Sequence, residues 1–86
     1  MVEVVFTRAA ERSLDRLPPQ RSRQILIRIE EFAGDPMARH RNVKPLAGSD
    51  LIRMRVGDYR VLLSLDPEHQ IITVELIRTR GDVYKR

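Results

Sequence analysis

Apolar positions recur along this chain with two different spacings, helical and alternating, and the changes of spacing mark its elements. Residues 2–6, Val-Glu-Val-Val-Phe, read as a short strand. Thr7 is a plausible N-cap for a helix running to about Arg16. Phe6, Ala10, Leu14 and Leu17 form an apolar seam at helical spacing along it. Pro18-Pro19 ends that helix, and one of the two prolines can open the next. The second helix runs to about Ala33. Ile25, Leu26, Ile29, Phe32 and Ala33 form its apolar face, while Arg21, Arg28, Glu30 and Glu31 look outward. Gly34 supplies a C-terminal cap, and Asp35-Pro36 prevents continuation. Residues 36–50 show neither period and read as an irregular connection.

From residue 51 the period becomes two. Gly57-Asp58 is a two-residue hairpin loop flanked by alternating apolar positions. If Val56 pairs with Tyr59, then Arg55 pairs with Arg60, Met54 with Val61 and Arg53 with Leu62. Ile52, Met54, Val56, Tyr59, Val61 and Leu63 then share a core face, and Arg53, Arg55 and Arg60 share the other. A turn at Asp66-Pro67-Glu68-His69 leads to a last strand over residues 70–78, with Ile72, Val74 and Leu76 buried. The predicted order is β-α-α-β-β-β, an α+β fold in which an antiparallel sheet packs against an N-terminal helical hairpin. Residues 1–86 form a single domain on this reading, without repeats or a linker. Arg78 and Arg80 share parity with Ile72, Val74 and Leu76, which aims them at the core. A bulge or strand end near residue 77 is needed to turn them outward, and the pattern leaves the choice open.

Charge sharpens the picture. Residues 1–35 hold six Arg and six acids, whereas residues 36–86 hold ten Lys or Arg against six acids, so the second part carries the whole net charge of +4. A concentrated basic patch is the footprint of phosphate binding. The absence of cysteine excludes disulfides and thiolate metal sites. His40 and His69 lack carboxylates at ligand spacing and read as ordinary loop residues, so no metal or other cofactor is expected. No run approaches a membrane span and the start of the chain has no secretory pattern, which makes a cytoplasmic location the expectation.

The hairpin arginines admit two readings. Like charges directly opposite on a sheet cost up to about 1 kcal/mol, so a chain that keeps them either presents them to a polyanion or simply solvates them on a basic surface. Tyr59, on the core face, is structural. Lys44 and Arg41, in the basic connection, are candidates for phosphate contact or for solvent.

Four stretches together resemble the RelE/ParE toxin superfamily of type II toxin–antitoxin modules, in order and over essentially the whole chain. They are Phe6-Thr7 with Leu14 and Leu17-Pro18; Lys44-Pro45-Leu46 with Gly48; Arg55-Val56-Gly57-Asp58-Tyr59-Arg60-Val61; and Arg80-Gly81-Asp82-Val83-Tyr84. The resemblance implies two activities, ribosome-dependent mRNA cleavage in RelE-like members and DNA gyrase poisoning in ParE-like members. The first is the leading expectation; a gyrase inhibitor, or a non-toxic antitoxin-binding relative, is the alternative.

Carried over residue by residue, the catalytic positions of RelE-like nucleases fall on Arg53, Arg55, Arg60, Arg80 (or Arg78, if the gap is placed differently) and Tyr84. Lys44, Arg41, Arg78 and Lys85 are further candidates for RNA contact. Thr79 stands where many relatives have histidine, and Gly81 at an often basic position, departures that touch proton transfer more than phosphate binding. Metal-free cleavage needs a base, an acid and stabilisation of a dianionic phosphorane. Arginine, with a pKa above about 12, supplies only the last, which leaves Tyr84 for proton transfer or base stacking. The resemblance also implies a cognate acidic antitoxin and a hetero-oligomeric complex.

Overall fold

A computed structural model describes residues 2–79 as two helices on one face of a five-stranded sheet. The elements are β1 (Glu3–Phe6), α1 (Arg8–Arg16), α2 (Pro19–Gly34), β2 (Val43–Pro45), β3 (Ile52–Val56), β4 (Tyr59–Asp66) and β5 (Ile71–Thr79). The sheet order is β1-β5-β4-β3-β2. The α+β class and the antiparallel β3-β4-β5 meander are as expected. Two features extend that expectation. The connecting segment contributes β2, which pairs antiparallel with β3, and β1 lies parallel to β5, so the sheet is mixed. A three-residue strand containing a proline is too short to show a period of two, which is why β2 left no pattern.

Helix α1 starts where the sequence places it. The Thr7 hydroxyl accepts a hydrogen bond from Ala10 N at 3.1 Å, one of the donors that a helix start leaves unpaired. The Ser22 hydroxyl donates to Leu14 O at 2.8 Å and joins the end of α1 to the first turn of α2. Pro19 occupies the first turn of α2, where its missing N–H costs no hydrogen bond. Ala10, Ile25, Ile29 and Phe32 from the helices meet Met54, Val56, Val61, Leu63, Ile72, Val74 and Ile77 from the sheet in a continuous core. Leu26, expected on the buried face of α2, is 39% exposed. One helix face accommodates Ile25, Ile29 and Phe32, and Leu26 lies about 100° away from Ile25 around the axis.

The β3–β4 hairpin has the predicted register pair for pair: Val56 opposite Tyr59, Arg55 opposite Arg60, Met54 opposite Val61 and Arg53 opposite Leu62. Gly57 has φ +59°, the positive value that the first central position of a type II′ turn requires. The β4–β5 pairing is regular except between Leu62 and Leu63. Leu62 faces Leu76 and Leu63 faces Val74, which leaves Glu75 as an extra residue, a β-bulge. The bulge reverses the side-chain parity of the rest of β5. Ile77 enters the core at 3% exposure, and Leu76, expected there, turns to the opposite face.

Candidate functional site: a basic sheet face

The face of the sheet away from the helices carries the basic side chains. Arg55, Arg60 and Arg78 stand directly opposite one another on β3, β4 and β5. Adjacent strands lie about 4.8 Å apart, so the three Cα atoms span about 10 Å. All three residues are exposed. One step along the strands a second row runs Lys44, Arg53, Leu62 and Leu76 across β2 to β5. Two basic residues in that row are followed by two half-buried leucines. Among the described residues no carboxylate lies within 4.0 Å of Arg53, Arg55, Arg60 or Arg78; the ion pairs found there are Arg28 with Glu31 at 3.5 Å and His69 with Asp66.

Unneutralised guanidinium groups on a rigid sheet are preorganised for phosphate. Each offers a planar fork of donors matched to two oxygens, and the sheet fixes their spacing without reorganisation when the anion arrives. The arrangement can bind a phosphodiester and stabilise extra negative charge on it. It offers no base of its own.

The bulge resolves the open question at Arg78: it points outward beside Arg60 rather than toward the core. Arg80, Tyr84 and Lys85 lie outside the described residues. Lys44 joins the basic face opposite Arg53. Arg41 does not. It lines a cavity of about 200 Å³ on the helix side of the sheet, with Arg28, Glu31, Phe32, His40, Val43 and Met54. There the Arg28 Nη2 donates to Arg41 O at 2.8 Å. His40 Nε2–H donates to Asp35 O at 2.6 Å, and its ring meets Phe32 edge-on at 5.3 Å, a structural setting for a loop histidine. His69 Nδ1–H donates to Asp66 Oδ2 at 2.8 Å in the β4–β5 turn, and this hydrogen bond holds the Asp66 carboxyl below its ordinary pKa. Among the described residues no group of three or more His, Cys, Asp or Glu could hold a metal ion.

Leu76 on the basic face was missed by sequence reasoning, which placed it in the core; of the two alternatives left open near residue 77, the structure has the bulge, at Glu75. A signal existed: Leu76-Ile77 breaks strict alternation, and two adjacent apolar residues in a half-buried strand mark a possible bulge.

The family described as ParE toxin of type II toxin–antitoxin system, parDE, matches residues 4–84. The chain belongs to the RelE/ParE superfamily of toxins. Its sequence is 37% identical over 89 aligned positions to Toxin RelG of Mycobacterium tuberculosis (strain ATCC 25618 / H37Rv), covering 96% of this chain and 95% of that protein. The archaeal RelE-RelB complex from Pyrococcus horikoshii OT3 contains a chain that superposes with TM-score 0.80 at 28% identity, covering 93% of this chain and 96% of that one. The toxin–antitoxin complex RelBE2 from Mycobacterium tuberculosis matches with TM-score 0.65 at 34% identity, covering 92% and 98%. This RelE/ParE toxin is thus RelE-like within the superfamily, a toxin of a type II toxin–antitoxin system.

Proposed function

We propose that this toxin cleaves mRNA on the translating ribosome and that a cognate acidic antitoxin holds it inactive in a hetero-oligomeric complex. The observation that carries the reading is the arginine row: Arg55, Arg60 and Arg78 on neighbouring strands, exposed, with Arg53 and Lys44 beside them. In the proposed reaction the ribose 2′-hydroxyl gives up its proton and attacks the adjacent phosphorus, and the arginines hold the phosphate and stabilise the dianionic phosphorane. The P–O5′ bond breaks as the leaving 5′-oxygen takes a proton, giving a 2′,3′-cyclic phosphate and a 5′-hydroxyl end. Tyr84 moves a proton or stacks on a base, and Arg80 and Lys85 add charge to the substrate path. Clustered guanidinium groups favour a phenolate, which suits a tyrosine to proton transfer.

Relatives found in RelE-RelB complexes, together with a net charge of +4, support the antitoxin as partner. The family match over residues 4–84 supports reading residues 1–86 as one toxin domain. A cytoplasmic location follows from the proposed substrate, and no helix among the described residues is long and apolar enough to cross a membrane.

One observation favours a second reading: the matching family is named for ParE, so inhibition of DNA gyrase without nuclease activity is the alternative. Adding purified protein to a translation extract and mapping reporter mRNA ends by primer extension separates the two. New 5′ ends on translated mRNA only, lost with Arg60→Ala, are expected. Intact mRNA with continued translation discards the nuclease reading and makes gyrase supercoiling the next assay. Retained cleavage by Tyr84→Phe rules out proton transfer by that residue, and Tyr84→Ala tests stacking.

A further inference from the structure

We propose that Thr7 and Ser64 are positioning residues that hold β5 in its bulged register and thereby keep Arg78 in the arginine row. The proposal rests on the nuclease reading for its effect on activity, and on the sheet alone for its geometry.

Two registers of β5 compete. In the observed one Glu75 is extra, Ile77 faces Val61 in the core and Arg78 faces Arg60 outside. Without the bulge the ladder runs on from Leu63–Val74, setting Glu75 against Leu62, Leu76 against Val61, Ile77 against Arg60 and Arg78 against Tyr59. A slip of one residue exchanges the faces of every side chain beyond it. The bulge-free register is not excluded by hydrophobicity, because Leu76 fills the position of Ile77. Arg78 then falls beside half-exposed Tyr59 rather than in the centre of the core. Its cost is the removal of Arg78 from the site.

The Thr7 hydroxyl selects the bulged register, and the Ser64 hydroxyl steadies the extra residue. A regular strand aims successive carbonyls to opposite sides, toward its two neighbouring strands. At the bulge, the Val74 and Glu75 carbonyls both reach Thr7: Thr7 N donates to Val74 O at 3.1 Å and Thr7 Oγ1 donates to Glu75 O at 2.7 Å. The second bond satisfies the backbone acceptor that the bulge removes from the β4 ladder. The Thr7 hydroxyl also caps α1, so one oxygen joins the start of the helix to the irregularity in the strand. On the other side Ser64 Oγ donates to Glu75 Oε2 at 2.8 Å and fixes the extra side chain to β4. The Thr7 bond does not survive a slip, since a regular strand turns the Glu75 carbonyl toward β4, whereas the Ser64 bond steadies residue 75 without choosing between the registers.

The test measures cleavage of translated mRNA on purified ribosomes by the full chain and, in parallel, the cross-strand NOE contacts of Arg60. In the double variant Thr7→Val with Ser64→Ala, the contacts of Arg60 shift from Arg78 toward Ile77, and kcat falls about tenfold with a smaller change in KM. Thr7→Ser, which retains donor and acceptor, keeps both readouts. In an Arg78→Ala background the double variant loses no further activity, since positioning acts through that side chain. Removing Glu75 rebuilds the ladder with Arg78 still outward, so activity there no longer depends on Thr7 and Ser64. An equal loss with and without Arg78, or unchanged Arg60 contacts in the double variant, overturns the proposal. If the double variant does not fold, Thr7→Val alone is read in the same backgrounds. If the unsubstituted protein leaves mRNA intact, the nuclease reading fails, and the NOE measurement alone decides the positioning of Arg78.

Discussion

Arg60 stands between two other arginines, Arg55 on one neighbouring strand and Arg78 on the other, in the arrangement that sheet electrostatics disfavours. That conflict gives a signature by which function and solvation can be told apart. Arg60→Ala is expected to lower mRNA cleavage about a hundredfold or more, as losing one preorganised donor to a charged transition state does. The same substitution is expected to raise stability in urea by up to about 1 kcal/mol, because it relieves two like-charge contacts. Activity and stability moving in opposite directions marks a residue kept for its site. A variant that keeps full activity reduces the row to a solvated face. Gly57 shows the reverse case, a residue retained for the backbone. A Cβ there meets nothing within 4 Å, so the whole effect of Gly57→Ala comes from φ +59°. The left-handed region costs about 1–2 kcal/mol, and a less flexible unfolded chain returns about 0.4–1. The expected net loss of about 1 kcal/mol is measurable as a shifted denaturation midpoint.

Among the elements, those with a local cause were legible in the sequence and those with a long-range cause were not. The β3–β4 register follows from a two-residue loop and a period of two, and the structure has the same four pairs. The start of α1 follows from Thr7, and the end of α2 from Gly34-Asp35-Pro36. Strand β2 escaped because it exists only by pairing with β3, and the outward turn of Arg78 because it depends on Thr7, about seventy residues away along the chain. The predicted arginine face thus stood on secure ground for β3 and β4, and its third member needed the tertiary structure. The β4–β5 turn has its own local cause and its own pH dependence. The Asp66 carboxyl is held below its ordinary pKa by the hydrogen bonds from His69. A folded-state pKa below the unfolded one gives a stabilising contribution that is full above the unfolded value of about 3.9 and is lost as pH falls through the folded value. The difference in thermal midpoint between the native chain and Asp66→Asn should therefore shrink as pH falls below about 4. A difference that grows over that acid range contradicts the assignment.

At the scale of the molecule, charge and fold divide the work between two faces of one sheet. The helices cover one face with apolar side chains, and the second part of the chain, which carries the entire net charge of +4, presents Arg53, Arg55, Arg60 and Arg78 on the other. Binding to such a face is governed by release of counterions from the polyanion, so its affinity for single-stranded RNA must fall steeply with salt. Five basic residues stand on the face: Lys44, Arg53, Arg55, Arg60 and Arg78. At about 0.7 per phosphate contact on a single strand, five contacts give a log–log slope against salt of about −3.5. Fluorescence anisotropy with a labelled oligoribonucleotide, titrated at several salt concentrations, measures it directly. Arg55→Ala should flatten the slope by about 0.7, whereas Arg41→Ala should leave it unchanged, because Arg41 lines the cavity on the helix side. An Arg41 effect as large as that of Arg55 means that RNA follows the basic connection around the sheet edge instead of lying across the arginine row, and the site then has to be redrawn around β2.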